Sequence, residues 1–273
     1  MNDLHIWGWE IAVYLFLGGL AAGVMILAGA MKPSESRAAR LLIFVAPIAI
    51  SLGMLALFLD LEYKLHVFRF YTAFRVTSPM SWGAWILLLI YPATVLYGLA
   101  QLGYAFARKY ETLLRRLNVG LGIALGAYTG ILLGTLTARA AWSSLFLAPL
   151  FLASGISAGA AMAMLLPVSK GESESFRRWD LVAIAAEVVL LGFFFVDLLS
   201  SGARGRAAAS LFFGGPYTAV FWSLVVIAGL ALPLFLEIFE ARRRIHLAFA
   251  PALVLIGGLA LRWIFVLAGQ TAV

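Results

Sequence analysis

The chain has 273 residues, 63% of them hydrophobic and 12% charged, against about 45–50% and about 25% in a soluble domain. That much apolar surface excludes a soluble enzyme, a nucleic-acid binder and a disordered chain, and leaves a polytopic membrane protein. The net charge of +7, from 20 Lys and Arg against 13 Asp and Glu, needs no nucleic acid, because basic loops on the cytoplasmic side of a membrane account for it.

A spanning helix needs about 20 largely apolar residues. Eight runs of that kind follow in chain order, at about 11–31, 41–61, 82–104, 117–138, 144–167, 181–200, 217–237 and 248–269. Charged breaks separate them: Lys32-Pro33-Ser34-Glu35, Arg108-Lys109-Tyr110-Glu111, Lys170-Gly171-Glu172-Ser173-Glu174 and Arg242-Arg243-Arg244. Two breaks are softer, Arg139–Ser144 and the Gly/Arg-rich stretch Ser200–Gly215. The expected fold is an all-α integral membrane protein with eight transmembrane helices. No cleavable signal peptide is expected, since no basic segment precedes the first run.

The loops after runs 1, 3, 5 and 7 carry thirteen Lys and Arg, and the opposite side carries six. The positive-inside rule then places both termini outside the cytoplasm. Gly19-Leu-Ala-Ala-Gly23 in the first helix recurs as Gly155-Ile-Ser-Ala-Gly159 in the fifth, and Asp60 is echoed by Asp197. Offsets near half the chain suggest two four-helix units, 1–140 and 141–273. Each holds a small-xxx-small stripe that lets helix backbones approach closely.

Cysteine is absent, so the protein has no disulfide and no Fe–S cluster of its own. The three histidines, His5, His66 and His246, all lie outside the spans, so axial haem ligation is not expected. Metal sites are not expected either. Electron chemistry here would need a diffusible carrier, and a quinone is the natural one inside a bilayer.

Several motifs together resemble the NrfD/PsrC family, the membrane subunits of polysulfide-reductase-like complexes. They are the stretch Trp7 to Gly23, Asp60-Leu61-Glu62 followed by Phe68-Arg69-Phe70, Ser78-Pro79-Met80-Ser81-Trp82-Gly83, Tyr128-Thr129-Gly130 and Gly258-Leu259-Ala260-Leu261-Arg262. Where many members carry Gly-Arg-Pro after the aspartate, this sequence reads Glu62-Tyr63-Lys64. Where some place His and Asn in the first helix, it has Tyr14 and Ile11. The resemblance implies a quinone site near the extracytoplasmic surface, menaquinone being the type expected. It also implies a ferredoxin-like Fe–S partner and a molybdopterin catalytic subunit on that side.

Against that expectation the polar residues sort as follows. Glu10 and Asp60 are candidates to exchange quinone protons with water, and Tyr14, Tyr128, Glu62 and His66 are candidate quinone-binding residues. Glu10 and Tyr14 fall one turn apart on one helix face, where an interfacial carboxylate and an aromatic-belt tyrosine are the alternative. Tyr128 falls about half-way along the fourth span, where a phenol needs a partner. Glu187, Asp197 and Arg262 are costly intramembrane charges, expected as a structural clamp or a proton route. By height, Asp197 matches Arg262 better than Glu187 does. Trp7, Trp9, Trp82, Trp85 and most other aromatics are expected at the belt or facing lipid. A secondary transporter, which would need broken helices and a polar midplane, and a passive membrane anchor are the competing functions.

Overall fold

The computed structural model describes residues 7–31, 36–60, 79–135, 139–243 and 249–271. Among the described residues all regular structure is helical. Eight helices are long and apolar enough to cross a membrane, so this is a multi-pass integral membrane protein. We label them α1 (Trp9–Ala30), α2 (Arg37–Asp60), α3 (Pro79–Gln101), α4 (Glu111–Gly134), α5 (Leu147–Met164), α6 (Lys170–Ser200), α7 (Thr218–Phe239) and α8 (Phe249–Thr271). Odd-numbered helices run from the side of both termini, here the terminal side, toward the Lys- and Arg-rich basic side.

Helices α1 and α5 form the centre. Most of α1 is buried, as befits a helix apolar on every face. The two cross where their glycine stripes meet. A β-carbon on Gly155 would come within 2.7 Å of the Gly19 carbonyl oxygen, and one on Gly159 within 2.5 Å of the Gly23 carbonyl carbon. Dispersion and backbone proximity drive helix association in a membrane, so this contact needs small residues. Around the pair, α2 and α4 pack on α1, and α6 packs on α5. The Gly229–Gly257 contact brings α7 equally close to α8, since a β-carbon on Gly229 would lie 2.6 Å from the Gly257 Cα.

Two helices begin well before the point that hydropathy indicates, by six and eleven residues. Helix α6 starts at Lys170 rather than 181. Its first turn is a capping box in which the Glu172 amide donates to Ser169 Oγ at 3.3 Å and the Ser169 amide to Glu172 Oε2 at 3.0 Å. The same carboxylate accepts from the Ser36 amide at 3.2 Å, tying the α1–α2 connection to α6. Thirty-one residues make a rod of about 46 Å, longer than the ~30 Å hydrocarbon core, so its polar first turns lie beyond the core. Helix α4 starts at Glu111 rather than 117. Both surplus segments are too charged to register as membrane-embedded, yet nothing in them stops a helix.

Within α7, residues Phe221–Ala231 are wound as a π-helix. Pro233 lacks the amide that would bond the Gly229 carbonyl in an α-helix, so the wider winding sits where the α-helical ladder is already broken. The aromatic residues also depart from expectation. Trp142, Phe151, Phe194, Phe212, Phe221 and Phe265 are fully buried, with the Phe212 and Phe221 rings 5.1 Å apart. They fill the terminal side of the α5–α8 half rather than facing lipid.

Candidate functional site

Glu10 lies in the first turn of α1, where the helix dipole favours a carboxylate. Asp60 closes α2, and the two carboxylates are near enough for their charges to interact. One turn deeper on α1, buried Tyr14 packs against Gly53 of α2; a β-carbon there would meet its Cδ2 at 3.5 Å. The α1–α2 seam is therefore polar at its terminal-side mouth and aromatic beneath.

Tyr128 is buried on α4, six residues before its end at Gly134, or about 9 Å from the terminal-side end. It is thus shallower than half-way, because α4 begins and ends earlier than the hydropathy boundaries. Its phenol lies on the backbone of Gly83 in α3, in the space a β-carbon would fill. Its hydroxyl has no hydrogen-bond partner among the described residues, whereas the neighbouring Thr129 donates to the Gly126 carbonyl at 2.7 Å. A buried tyrosine hydroxyl normally finds an acceptor, and none of the described residues supplies one here. Thr129 touches α1 at Gly18, with its methyl 3.5 Å from a β-carbon placed there. Tyr128 therefore stands about one turn below Tyr14. Glu62 and His66 lie outside the described residues.

Trp7 is not a free belt residue. It stacks on Trp142 at 5.1 Å, and Gln270 clamps its backbone, accepting from the Trp7 amide at 2.8 Å and donating to its carbonyl at 3.0 Å. With Trp9, Ala12, Trp263 and Val266 it lines an apolar groove of about 230 Å³ between α1 and α8.

The intramembrane charges meet differently from the height estimate. Arg262 is fully buried. Its guanidinium donates to Ser154 Oγ, to the Phe151 carbonyl at 3.0 Å and to the Gly258 carbonyl at 3.2 Å, and stands 5.0 Å from the Phe151 ring centre. Its charged neighbour is Glu187, close enough for the two charges to act on each other, and Glu187 lines one narrow crevice with Ser154. Asp197 is not among its partners. Heights counted from hydropathy boundaries misplaced Glu187, since α6 begins eleven residues before 181. An arginine side chain also leans toward its helix N-terminus, here the basic side.

Two buried carboxyls, Asp180 on α6 and Glu237 on α7, escaped the reading of the sequence because both fall beside charged segments taken as loop. Glu237 lies beside Asp180, and Ser157 Oγ donates to Asp180 Oδ1 at 2.5 Å. The signal was present: Asp180 and Glu187 are seven residues apart, two turns on one face, and Ser154 and Ser157 are three apart on α5.

The model for the family described as polysulphide reductase, NrfD, matches residues 1–273. The C subunit of polysulfide reductase from Wolinella succinogenes is 31% identical over 306 aligned positions, covering 98% of this sequence and 95% of that protein. Protein NrfD of Escherichia coli is 29% identical, covering 98% and 96%. A protein NrfD homolog of Haemophilus influenzae is 27% identical, covering 98% and 95%.

Proposed function

The chain belongs to the polysulphide reductase, NrfD family, and from that premise we propose that it is the quinone-reactive membrane subunit of a multi-subunit oxidoreductase. The observation that carries this reading is buried Tyr128, whose hydroxyl has no hydrogen-bond partner among the described residues and whose phenol is seated in the space left by the missing side chain of Gly83. An apolar approach from the lipid ending at a few polar groups is the general form of a small-molecule pocket. A quinone bound there supplies a couple of two electrons and two protons. Tyr128 donates a hydrogen bond to one of its oxygens, and Tyr14 walls the α1 side. Asp60 and Glu10 at the mouth exchange protons with water on the terminal side, Glu62 and His66 following Asp60 in sequence.

In this reading the terminal side is extracytoplasmic, as the thirteen-to-six Lys and Arg bias supports. A ferredoxin-like Fe–S subunit and a molybdopterin catalytic subunit dock there, and menaquinone is the expected carrier. The halves 1–140 and 141–273 are two related four-helix units. The meeting of the repeated stripes, Gly19 and Gly23 against Gly155 and Gly159, supports this division.

The test is to compare quinone-linked and dye-linked turnover in the assembled complex, since an artificial dye bypasses the quinone. Tyr128→Phe and Asp60→Asn are expected to lower the quinone-linked rate and leave assembly and the dye-linked rate intact. Wild-type quinone turnover in both variants would refute the site.

A further inference from the structure

One buried polar residue of the first half lies far from the mouth of the cleft and belongs to no charged segment. Asn118 of α4 is 0% exposed. Its Nδ2 donates across the helix interface to the Ala93 carbonyl of α3 at 3.0 Å, and to the Leu114 carbonyl of its own helix at 2.9 Å. Its Oδ1 has no hydrogen-bond partner among the described residues. An apolar side chain would avoid the cost of burying that oxygen, so stability alone does not explain a carboxamide here. The best-attested use of a single buried asparagine between packed helices is to fix their register, at some cost in stability.

The register it fixes is the one that places the cleft. Gly83 and Ala93 stand ten residues apart on α3, and Asn118 and Tyr128 stand ten apart on α4. The two helices are antiparallel neighbours. The Gly83–Tyr128 and Ala93–Asn118 contacts are therefore two points of one register, about 15 Å apart along the axis. Ten residues is a heptad plus three, the spacing that returns to the facing seam of a packed helix pair. A slip of α3 by one residue, about 1.5 Å, carries Gly83 off the phenol and Ala93 off the amide together.

The bond also lands beside the weak point of α3. Ala93 follows Pro92, which lacks the amide that would bond the Leu88 carbonyl, and a helix bends most easily at such a place. Asn118 grips α3 on the basic side of that break. Four residues further on, the Tyr97 hydroxyl donates to the Ala28 carbonyl of α1 at 2.9 Å. The terminal-side part of α3, which carries Gly83, is thus held out from a fixed end.

We propose that Asn118 is a positioning residue for Tyr128: its bond to the Ala93 carbonyl sets the α3–α4 register that seats the phenol on Gly83. Its effect on turnover rests on the reading of Tyr128 as the quinone ligand, whereas the register does not. Interhelical hydrogen bonds of this kind are part of what holds helices together in a bilayer.

3-Fluorotyrosine placed at position 128 of the assembled complex reports the surroundings of the phenol through its 19F resonance, without any quinone turnover. Asn118→Ala is expected to shift or broaden the resonance, as Gly83→Ala does. Asn118→Val, which refills the space, makes the same comparison where the alanine variant assembles poorly. Tyr91→Phe breaks a different bond of α3, the 2.9 Å contact of the Tyr91 hydroxyl with Ser51 Oγ on α2, and is expected to leave the resonance in place. Quinone-linked kcat/KM should fall in Asn118→Ala by up to the roughly tenfold of Tyr128→Phe, with the dye-linked rate intact. It should fall no further when Asn118→Ala is added to Tyr128→Phe. A resonance unmoved in both Asn118 variants, one moved as far by Tyr91→Phe, or losses that add to those of Tyr128→Phe would overturn the proposal. A moved resonance together with wild-type quinone turnover in Tyr128→Phe would refute the quinone ligand and leave the register assignment standing.

Discussion

Tyr128 on α4 lays its phenol against the backbone of Gly83 on α3, in the space that a β-carbon would occupy. The contact makes Gly83 a positioning residue for the hydroxyl. Gly83→Ala is expected to displace the phenol rather than the helices, because the clashing atoms are at the far end of a rotatable side chain. Tyr128→Phe should lower quinone-linked kcat/KM by about tenfold, the value of about 1.4 kcal/mol for one hydrogen bond. Gly83→Ala should lower it too, and the double variant should be no worse than Tyr128→Phe alone. Additive losses would show that Gly83 acts elsewhere.

The α1–α5 crossing sets the stability of the bundle. Gly155→Val places a branched side chain where even one carbon would stand 2.7 Å from the Gly19 carbonyl oxygen. Overpacking of this kind costs about 1–3 kcal/mol or more, so reduced yield of assembled complex and a lower Tm are expected. Gly192→Ala on α6, with nothing within 4 Å of its β-carbon, serves as control and should match the wild type by thermal unfolding in detergent.

Arg262 is expected to be more important as a partner than as a charge. Arg262→Met leaves Glu187 buried without the cation that acts on it and strips Ser154 and the Phe151 and Gly258 carbonyls of their donor, so a lower Tm is expected. Adding Glu187→Gln to Arg262→Met removes the stranded carboxylate and should recover part of that loss in the same melting assay. No recovery would mean that the hydrogen bonds from Arg262 to Ser154 and the Phe151 and Gly258 carbonyls carry the whole effect.

Orientation can be read with single cysteines, since the sequence contains none. Lys170→Cys on the basic side and Ser210→Cys on the terminal side are both at exposed positions. A membrane-impermeant thiol reagent added to intact cells should label Ser210→Cys only. Labelling of Lys170→Cys instead would invert the topology and move the redox partners to the cytoplasmic face.

Several features were legible without coordinates. The eight spans follow from apolar run length, because a bilayer requires every crossing backbone to satisfy its own hydrogen bonds as a helix, whatever its neighbours are. The family motifs at Trp7–Gly23, Tyr128–Gly130 and Gly258–Arg262 were equally visible. The glycine repeat announced a close helix crossing, and α1 and α5 supply it to each other.

What the sequence by itself determined is therefore what each helix needs alone: its place in a membrane, its order along the chain and the family to which its motifs belong. The tertiary structure decided which side chains meet. Depth along a helix depends on where the helix starts, and α6 starts at Lys170, inside a charged segment that a hydropathy window assigns to loop. Partnership depends on how helices cross, and close packing at Gly155 and Gly257 brought Ser154, Glu187 and Arg262 together while leaving Asp197 apart. Asp180 and Glu237, 57 positions apart in the sequence, looked like two loop-edge acids. Only the packing of α7 on α6 brings them side by side, because a hydrogen bond acts over about 3 Å and sequence spacing says nothing about that distance between different helices.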